Sequence, residues 1–252
     1  MSSPQRSVLV TGGAAGIGLA IARGLAAQGH RILLADVSDT VHAAADKLTT
    51  PQASVHAHVA DVGDEAQVLG VAKRAIELFG GCDILVNCAG VSMKRDGKPI
   101  PPTDVRTSDW ERVLRINLTA PFLLSRDLLP GMCERKFGRI INIASRAGRT
   151  FVAPAGADYA SSKAGLIGLT RHLAGTYAPD GITVNCIAPG RIETALSSLS
   201  SPEIIAAAAK AIPVGRLGTT EEVASAAMFL ASDAASYVTG VCLDVNGGAF
   251  IA

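Results

Sequence analysis

A glycine-rich turn close to the start of the chain constrains everything that follows it. Ser7 to Thr11 (SVLVT) is an apolar run of strand length. Thr11-Gly12-Gly13-Ala14-Ala15-Gly16-Ile17-Gly18 comes next and opens a helical pattern that runs to about Gln28, where Gly29 is placed to stop it. Glycines at that junction permit a tight turn and close approach of backbone to a ligand. The free N–H groups and positive dipole end of the helix then favour a phosphate. Strand, glycine turn and helix in this order are the context in which the segment reads as a dinucleotide site rather than as a structural turn.

Short apolar runs alternate with helical periodicity along the rest of the chain. Arg31–Asp36 (RILLAD), Ser54–Val59, Asp83–Asn87 (DILVN), Arg139–Ala144 (RIINIA), Ile182–Ile187 (ITVNCI) and Val241–Val245 read as six further strands. Glu65–Phe79, Ser108 to about Met132, Tyr159–Tyr177 and Thr220–Ala231 read as helices. The alternation predicts an α/β fold, a Rossmann-type doubly wound parallel sheet of about seven strands with helices on both faces. Continuously apolar strands fit a sheet covered on both sides. With no linker or repeat in 252 residues, a single domain over residues 1–252 is expected. Two irregular stretches, Val91–Arg106 and Pro189 to about Ser201, follow strands and are candidate walls of a cleft, since ligands of open α/β sheets bind beyond the strands' carboxyl ends.

Composition works by exclusion. Charged residues make up 18% and balance to +1, which lacks the basic footprint of a nucleic-acid binder and gives no strong attraction to anionic membranes. No run approaches the ~18 apolar residues of a membrane span, and Met1–Arg6 has none of the regions of a secretory signal. Cys82, Cys88, Cys133, Cys186 and Cys242 match neither a disulfide framework nor a zinc site, so a reduced, cytoplasmic protein is expected. His56 and His58 share one strand face without a third ligand at metal-like spacing, and no metal is expected.

Asp36 ends the second strand, where a carboxylate accepts hydrogen bonds from an adenosine ribose and repels a 2′-phosphate. Ala15 offers no cation for such a phosphate, so the expected cofactor is NAD rather than NADP. Farther on, Tyr159-Ala160-Ser161-Ser162-Lys163 places a phenol and an ammonium on one helical face. A tyrosine titrates at about 10, and each unit of lowering takes ~1.4 kcal/mol of phenolate stabilisation. A Lys cation and a positive nicotinamide ring both push that way. Alone, such a pair is more often a helix surface feature.

Together, the glycine turn, Asn87-Cys88-Ala89-Gly90, Asn117, Ser145, Tyr159 with Lys163, Pro189-Gly190, the segment Gly215 to Glu222 and the ending Thr239 to Gly248 stand in a telling order. It is the order of the classical short-chain dehydrogenases/reductases, which the chain resembles from about Ser7 to Gly248. The resemblance implies an enzyme moving a hydride between a nicotinamide and an alcohol or ketone, and Asp36 tilts the expectation to NAD and to a secondary alcohol of polyol, sugar or cyclic or aryl type. Tyr159 would be general acid in reduction and general base in oxidation. Lys163 would bind the nicotinamide ribose and lower the Tyr pKa, Ser145 would bond the substrate oxygen, and Asn117 would hold a water in a proton relay ending at Lys163. Along the cofactor the resemblance implies Gly12, Ala15, Gly16, Ile17 and Gly18 at the phosphates and Asp36 at the ribose. Asp61 and Val62 would flank adenine, with Asn87, Ala89 and Gly90 farther along and Pro189, Gly190, Ile192 and Thr194 at the nicotinamide end. It also implies a lid over Ala195–Ile212, and a homotetramer built through the long fourth and fifth helices and the C-terminal strand.

Three positions depart from the family's pattern. Cys88 stands where a second Asn is usual, Ala144 where a Ser often precedes Ser145, and Asn246 where Asp usually precedes the glycine pair. The first is expected to loosen a hydrogen bond behind the cofactor and the last to alter a subunit contact. Arg146, Arg149, Arg191, Lys94 and Arg95 either meet an anionic substrate or are surface and interface charges. Arg135, Lys136 and Arg139 read as complements to a helix dipole. Other functions stay open: a 3-oxoacyl-thioester (acyl-carrier-protein) reductase, a non-redox dehydratase or epimerase, and a non-enzymatic dinucleotide-sensing scaffold. The scaffold has no use for the Asn, Ser, Tyr and Lys set. Asp36 tilts away from the thioester reductase, since biosynthetic reductases more often draw on NADPH.

Overall fold

A computed structural model describes residues 4–193 and 202–251. Seven strands pair in parallel: β1 (Ser7–Thr11), β2 (Arg31–Asp36), β3 (Val55–Val59), β4 (Ile84–Asn87), β7 (Gly138–Ile143), β8 (Ile182–Pro189) and β9 (Cys242–Val245). Their order across the sheet is β3-β2-β1-β4-β7-β8-β9. The chain therefore starts in the middle, winds outward to β3, crosses back to β4 and continues the other way. That reversal leaves a crevice at the carboxyl ends of β1 and β4, where the glycine turn lies.

Burial on both faces explains why the strands are apolar without alternation. Val8 and Val10 point into one core and Leu9 into the other, all three fully buried; Ile32 and Leu34 oppose Leu33 and Ala35 in the same way. The first core is closed by α1 (Gly16–Ala27), α2 (Val41–Leu48) and α8 (Thr220–Ala231), the second by α3 (Glu65–Phe79), α5 (Ala120–Glu134) and α6 (Ala157–Tyr177). Each such Leu, Ile or Val contributes roughly 1.5–3 kcal/mol by leaving water. Local chemistry fixes several helix ends. Asp64 caps α3 by accepting from the Gln67 N–H, and Thr219 and Glu222 form a reciprocal capping box on α8.

Three features depart from the sequence expectation. Helix α2 was not anticipated, because only Val41, Ala44 and Ala45 of its eight residues are buried and they are mostly too small to mark a periodic stripe. The stretch Val91–Arg106 contains a hairpin, β5 (Lys94–Arg95) and β6 (Lys98–Pro99), turned by Asp96 and Gly97 at φ 51° and 74°. The long helix expected from Ser108 divides into α4 (Thr107–Leu114), a π-helical turn at Arg115–Thr119, and α5. Pro121 has no N–H to give the carbonyl of Asn117 four residues back, and the Ala120 N–H bonds the Arg115 carbonyl five residues back. Asn117 sits in that widened turn.

Candidate active site

The cofactor side is built from the turn between β1 and α1. Gly12 has φ 68°, and a Cβ there would lie 2.9 Å from the Ala89 nitrogen, so glycine lets the turn lie against the segment after β4. The Thr11 hydroxyl fastens that segment by accepting the N–H groups of Cys88 and Ala89 at 3.1 and 3.2 Å. Ala15 precedes α1 without a side-chain cap, so no side chain satisfies the first-turn N–H groups of α1, the kind of helix start that suits an anion. Asp36 is held at the end of β2 by the N–H groups of Ala14 and Ser38, each at 3.0 Å. Gly12, Asp36, Asp61, Val62, Ala89 and Gly90 line one cavity of about 170 Å³, which brings the expected adenosine-side residues together.

Asp61 accepts the Gly63 N–H at 2.8 Å and a guanidinium N–H of Arg112 at 3.1 Å. The Gly63 bond first, and the Arg112 cation after it, hold its carboxyl below the usual range against the opposing pull of burial. Arg112 lines the cavity and was not foreseen. A pair 51 residues apart leaves no spacing signature, and an Arg on an exposed helix face reads as solvated.

The proton-handling groups meet where α6 crosses the end of β7. Lys163 gives its Nζ to the Ile143 carbonyl at 2.7 Å and lies 5.7 Å from the centroid of the Tyr159 ring. Burial brings its ammonium down to about 8. Burial pushes the Tyr159 phenol above its ordinary value, and a hydrogen bond with Ser145 pulls the other way. The Lys163 ammonium is turned to the Ile143 carbonyl, and Ser145 is the neighbour that draws the phenol down against burial. Ser145 is itself positioned by accepting the Ala147 N–H at 3.1 Å. Asn117, fully buried, bonds Val91 and the Ser162 hydroxyl, and Ser162 donates to the Tyr159 carbonyl at 2.7 Å. Ser162 is a second group that the sequence reading passed over.

Gly90 lets the loop approach this cluster: a Cβ there would lie 3.3 Å from Lys163 Nζ and 3.4 Å from Asn117 Oδ1. Behind it a buried chain runs from Asn87 to Asn142 at 2.8 Å and on to Thr170 at 2.9 Å. Asn87 Oδ1 is buried without a hydrogen-bond partner in the protein. Burial pushes the Cys88 thiol up to about 12, so it stays protonated and inert as a nucleophile.

At the other end of the crevice, Pro189 closes β8 and the Gly190 N–H bonds the Val245 carbonyl at 2.9 Å. Ile192 makes a β-bridge to Gly218. Thr194 and the first part of the expected lid, 195–201, lie outside the described residues; α7 (Pro202–Lys210) follows. Asn246 bonds Gly248 and Phe250 within its own turn.

The basic residues near Ser145 have other partners. Arg146 donates to the Ala249 carbonyl at 2.9 Å. Arg149 pairs with Asp244, bonds the Cys242 carbonyl and lies 4.8 Å over the Phe250 ring, so both arginines tie down the C-terminal segment. Lys94 is exposed, and Arg95 pairs with Asp104. Arg135 and Lys136 pair with Asp83 and Asp180, whereas Arg139 is a buried residue of β7 stacked on Phe137 rather than part of a helix end. His56 bonds Ser54, and among the described residues no three His, Cys, Asp or Glu could share a metal. No described helix is long and apolar enough to cross a membrane.

The orphaned Asn87 acceptor, the glycine cradle and the cavity lined by Asp36 and Asp61 fit a dinucleotide. Residues 12–249 match a family model described as enoyl-(acyl carrier protein) reductase. The chain is 42% identical over 247 residues to nodulation protein G of Rhizobium sp. (strain N33), covering 96% of each chain. It is 39% identical over 252 residues to the 3-oxoacyl-(acyl-carrier-protein) reductase of Escherichia coli (strain K12), covering all of both. A solved 3-oxoacyl-(acyl-carrier-protein) reductase of Brucella melitensis with bound NAD superposes with TM-score 0.91 at 36% identity, over 100% of this chain and 93% of that one.

Proposed function

The chain belongs to the classical short-chain dehydrogenase/reductase family, an oxidoreductase family, and on that footing we propose that it interconverts 3-oxoacyl and 3-hydroxyacyl thioesters using NADH and NAD. The observation that carries the substrate class is the end-to-end similarity to the Escherichia coli 3-oxoacyl reductase. It outweighs the tilt towards polyols taken from Asp36, because Asp36 bears on the cofactor and not on the substrate. For NAD, the support is the Asp36 carboxylate in the cavity wall, where a 2′-phosphate would meet like charge.

In the reducing direction one hydride and one proton add across the C3 carbonyl, giving the 3-hydroxyacyl thioester and NAD. The bound nicotinamide supplies or accepts the hydride at its C4. Ser145 and Tyr159, already bonded to each other, bracket the place of the carbonyl oxygen, and Tyr159 Oη gives it the proton. Lys163, with an ammonium titrating at about 8, can exchange protons near neutral pH. Asn117 holds the wall beside it and orders the water through which the proton returns to Tyr159. In oxidation the same groups run in reverse, and the phenolate that Tyr159 must form is helped by positive charge nearby. We also propose a homotetramer, expected to scatter light with four times the mass of one chain.

The test compares initial rates for acetoacetyl-CoA with NADH and with NADPH against polyols, sugars and secondary alcohols with NAD. The reading expects the highest kcat/KM for the thioester with NADH. A polyol or sugar turned over faster than any thioester would overturn it.

A further inference from the structure

One guanidinium at the adenosine end of the cavity has no part in the reaction just described. Arg112 reaches from α4 to Asp61 Oδ2 at 3.1 Å, while Asp61 Oδ1 is taken by the Gly63 N–H at 2.8 Å. The Asp61 N–H is itself held by the Gln67 side chain at 2.9 Å. Gly63 makes room for this: a Cβ there would lie 3.0 Å from Asp61 Oδ1 and 3.2 Å from Arg112 Nη1. The carboxylate is therefore stopped from rotating by a donor on each oxygen, and each oxygen keeps acceptor capacity. Remove Arg112 and one oxygen is released to solvent.

A purine entering the cavity meets a carboxylate of fixed direction. The exocyclic amino group of adenine is a donor that such a carboxylate accepts. Hypoxanthine presents a carbonyl oxygen in the same place, and two acceptors repel. We propose that Arg112 is a positioning residue for base recognition, holding Asp61 in the orientation that accepts from the adenine amino group. Helix α4 thereby sets purine selectivity for a site whose phosphates are bound by the distant glycine turn. The inference rests on the dinucleotide reading of the cavity and is independent of which substrate is reduced. Because the pair is partly exposed, it contributes little to folding, and its loss is read in the base.

The test titrates wild type, Arg112→Met and Arg112→Lys with NADH and with reduced nicotinamide hypoxanthine dinucleotide, following nucleotide fluorescence. Wild type is expected to prefer NADH by about tenfold, the size of one charge-assisted hydrogen bond. Arg112→Met is expected to weaken NADH about fivefold while leaving the hypoxanthine analogue within about twofold, and Arg112→Lys to restore most of the preference. A tenfold preference surviving in Arg112→Met, or an equal loss for both dinucleotides, would overturn the proposal. Failure of wild type to bind either dinucleotide would overturn the cofactor reading beneath it, and the proposal with it.

Discussion

Asn117 grips the backbone of Val91 from both sides, its Oδ1 accepting the Val91 N–H at 2.8 Å and its Nδ2 donating to the Val91 carbonyl at 2.9 Å. The same Nδ2 reaches the Ser162 hydroxyl at 3.0 Å. One buried amide in the π turn thus couples the wall after β4 to the helix that carries Tyr159 and Lys163. Replacing it strands both backbone groups of Val91. Asn117→Ala is expected to cost about 1–3 kcal/mol of stability in urea denaturation and to lower kcat more than it raises KM for NADH. Unchanged stability with unchanged kcat would contradict the coupling.

Lys163 gives a pH dependence of stability with a definite sign. Its folded pKa is about 8, below the ordinary 10.5, because the buried cation loses its water. Between those values the unfolded chain binds the extra proton, so the wild type gains stability as pH rises through that window. Below it the folded state carries the whole cost of the buried charge. Lys163→Met is therefore expected to be more stable than wild type at pH 7, by up to about 3 kcal/mol, with the difference shrinking as pH rises. Chemical denaturation at several pH values measures this; a difference that grows with pH would contradict it.

Asp36 is expected to govern the choice of dinucleotide. Asp36→Ala removes the carboxylate held by Ala14 and Ser38 and with it both the ribose acceptor and the negative charge. NADH should bind about tenfold more weakly and the ratio of kcat/KM for NADPH over NADH should rise at least about tenfold. An unchanged ratio would move the discriminating group elsewhere.

The pair Arg149–Asp244 is expected to be structural. Both side chains are mostly buried, so removing one partner leaves the other's charge uncompensated. Arg149→Met should lose about 1–3 kcal/mol, and Arg149→Met with Asp244→Leu should recover part of that loss, with KM for the thioester unchanged throughout. A KM that rises in Arg149→Met while stability holds would return this residue to the substrate site.

The legible parts of the molecule were those with short-range signatures. Strands buried on both faces announced themselves as apolar runs such as Ile32 to Ala35, and the glycine turn declared the carboxyl ends of β1 and β4 as the binding edge. The candidate catalytic residues stood out as an ordered pattern, and the fold brings Asn117, Ser145, Tyr159 and Lys163 near one another. What escaped depends on partners far apart in sequence. Arg112 meets Asp61, Arg149 meets Asp244, and Ser162 meets Asn117 only after folding, and nothing in the spacing of these residues points from one to the other. The split of the expected long helix was masked because helical periodicity runs through it, although Pro121 held the clue. The burial that pushes the Tyr159 phenol up was not legible either, because it is set by the whole fold and not by the neighbour on the helix.

Hydride transfer to C3 of a thioester, with the proton from Tyr159, is measured most directly by label transfer. Acetoacetyl-CoA is incubated with NADH carrying deuterium on the face-appropriate C4 position, each epimer in turn, and the 3-hydroxybutyryl product is weighed by mass spectrometry. With one epimer the product should gain one mass unit located at C3, and Tyr159→Phe should slow its formation by about 10²–10⁴-fold while still binding NADH. Product without label from either epimer, or undiminished transfer in Tyr159→Phe, would contradict the proposed chemistry.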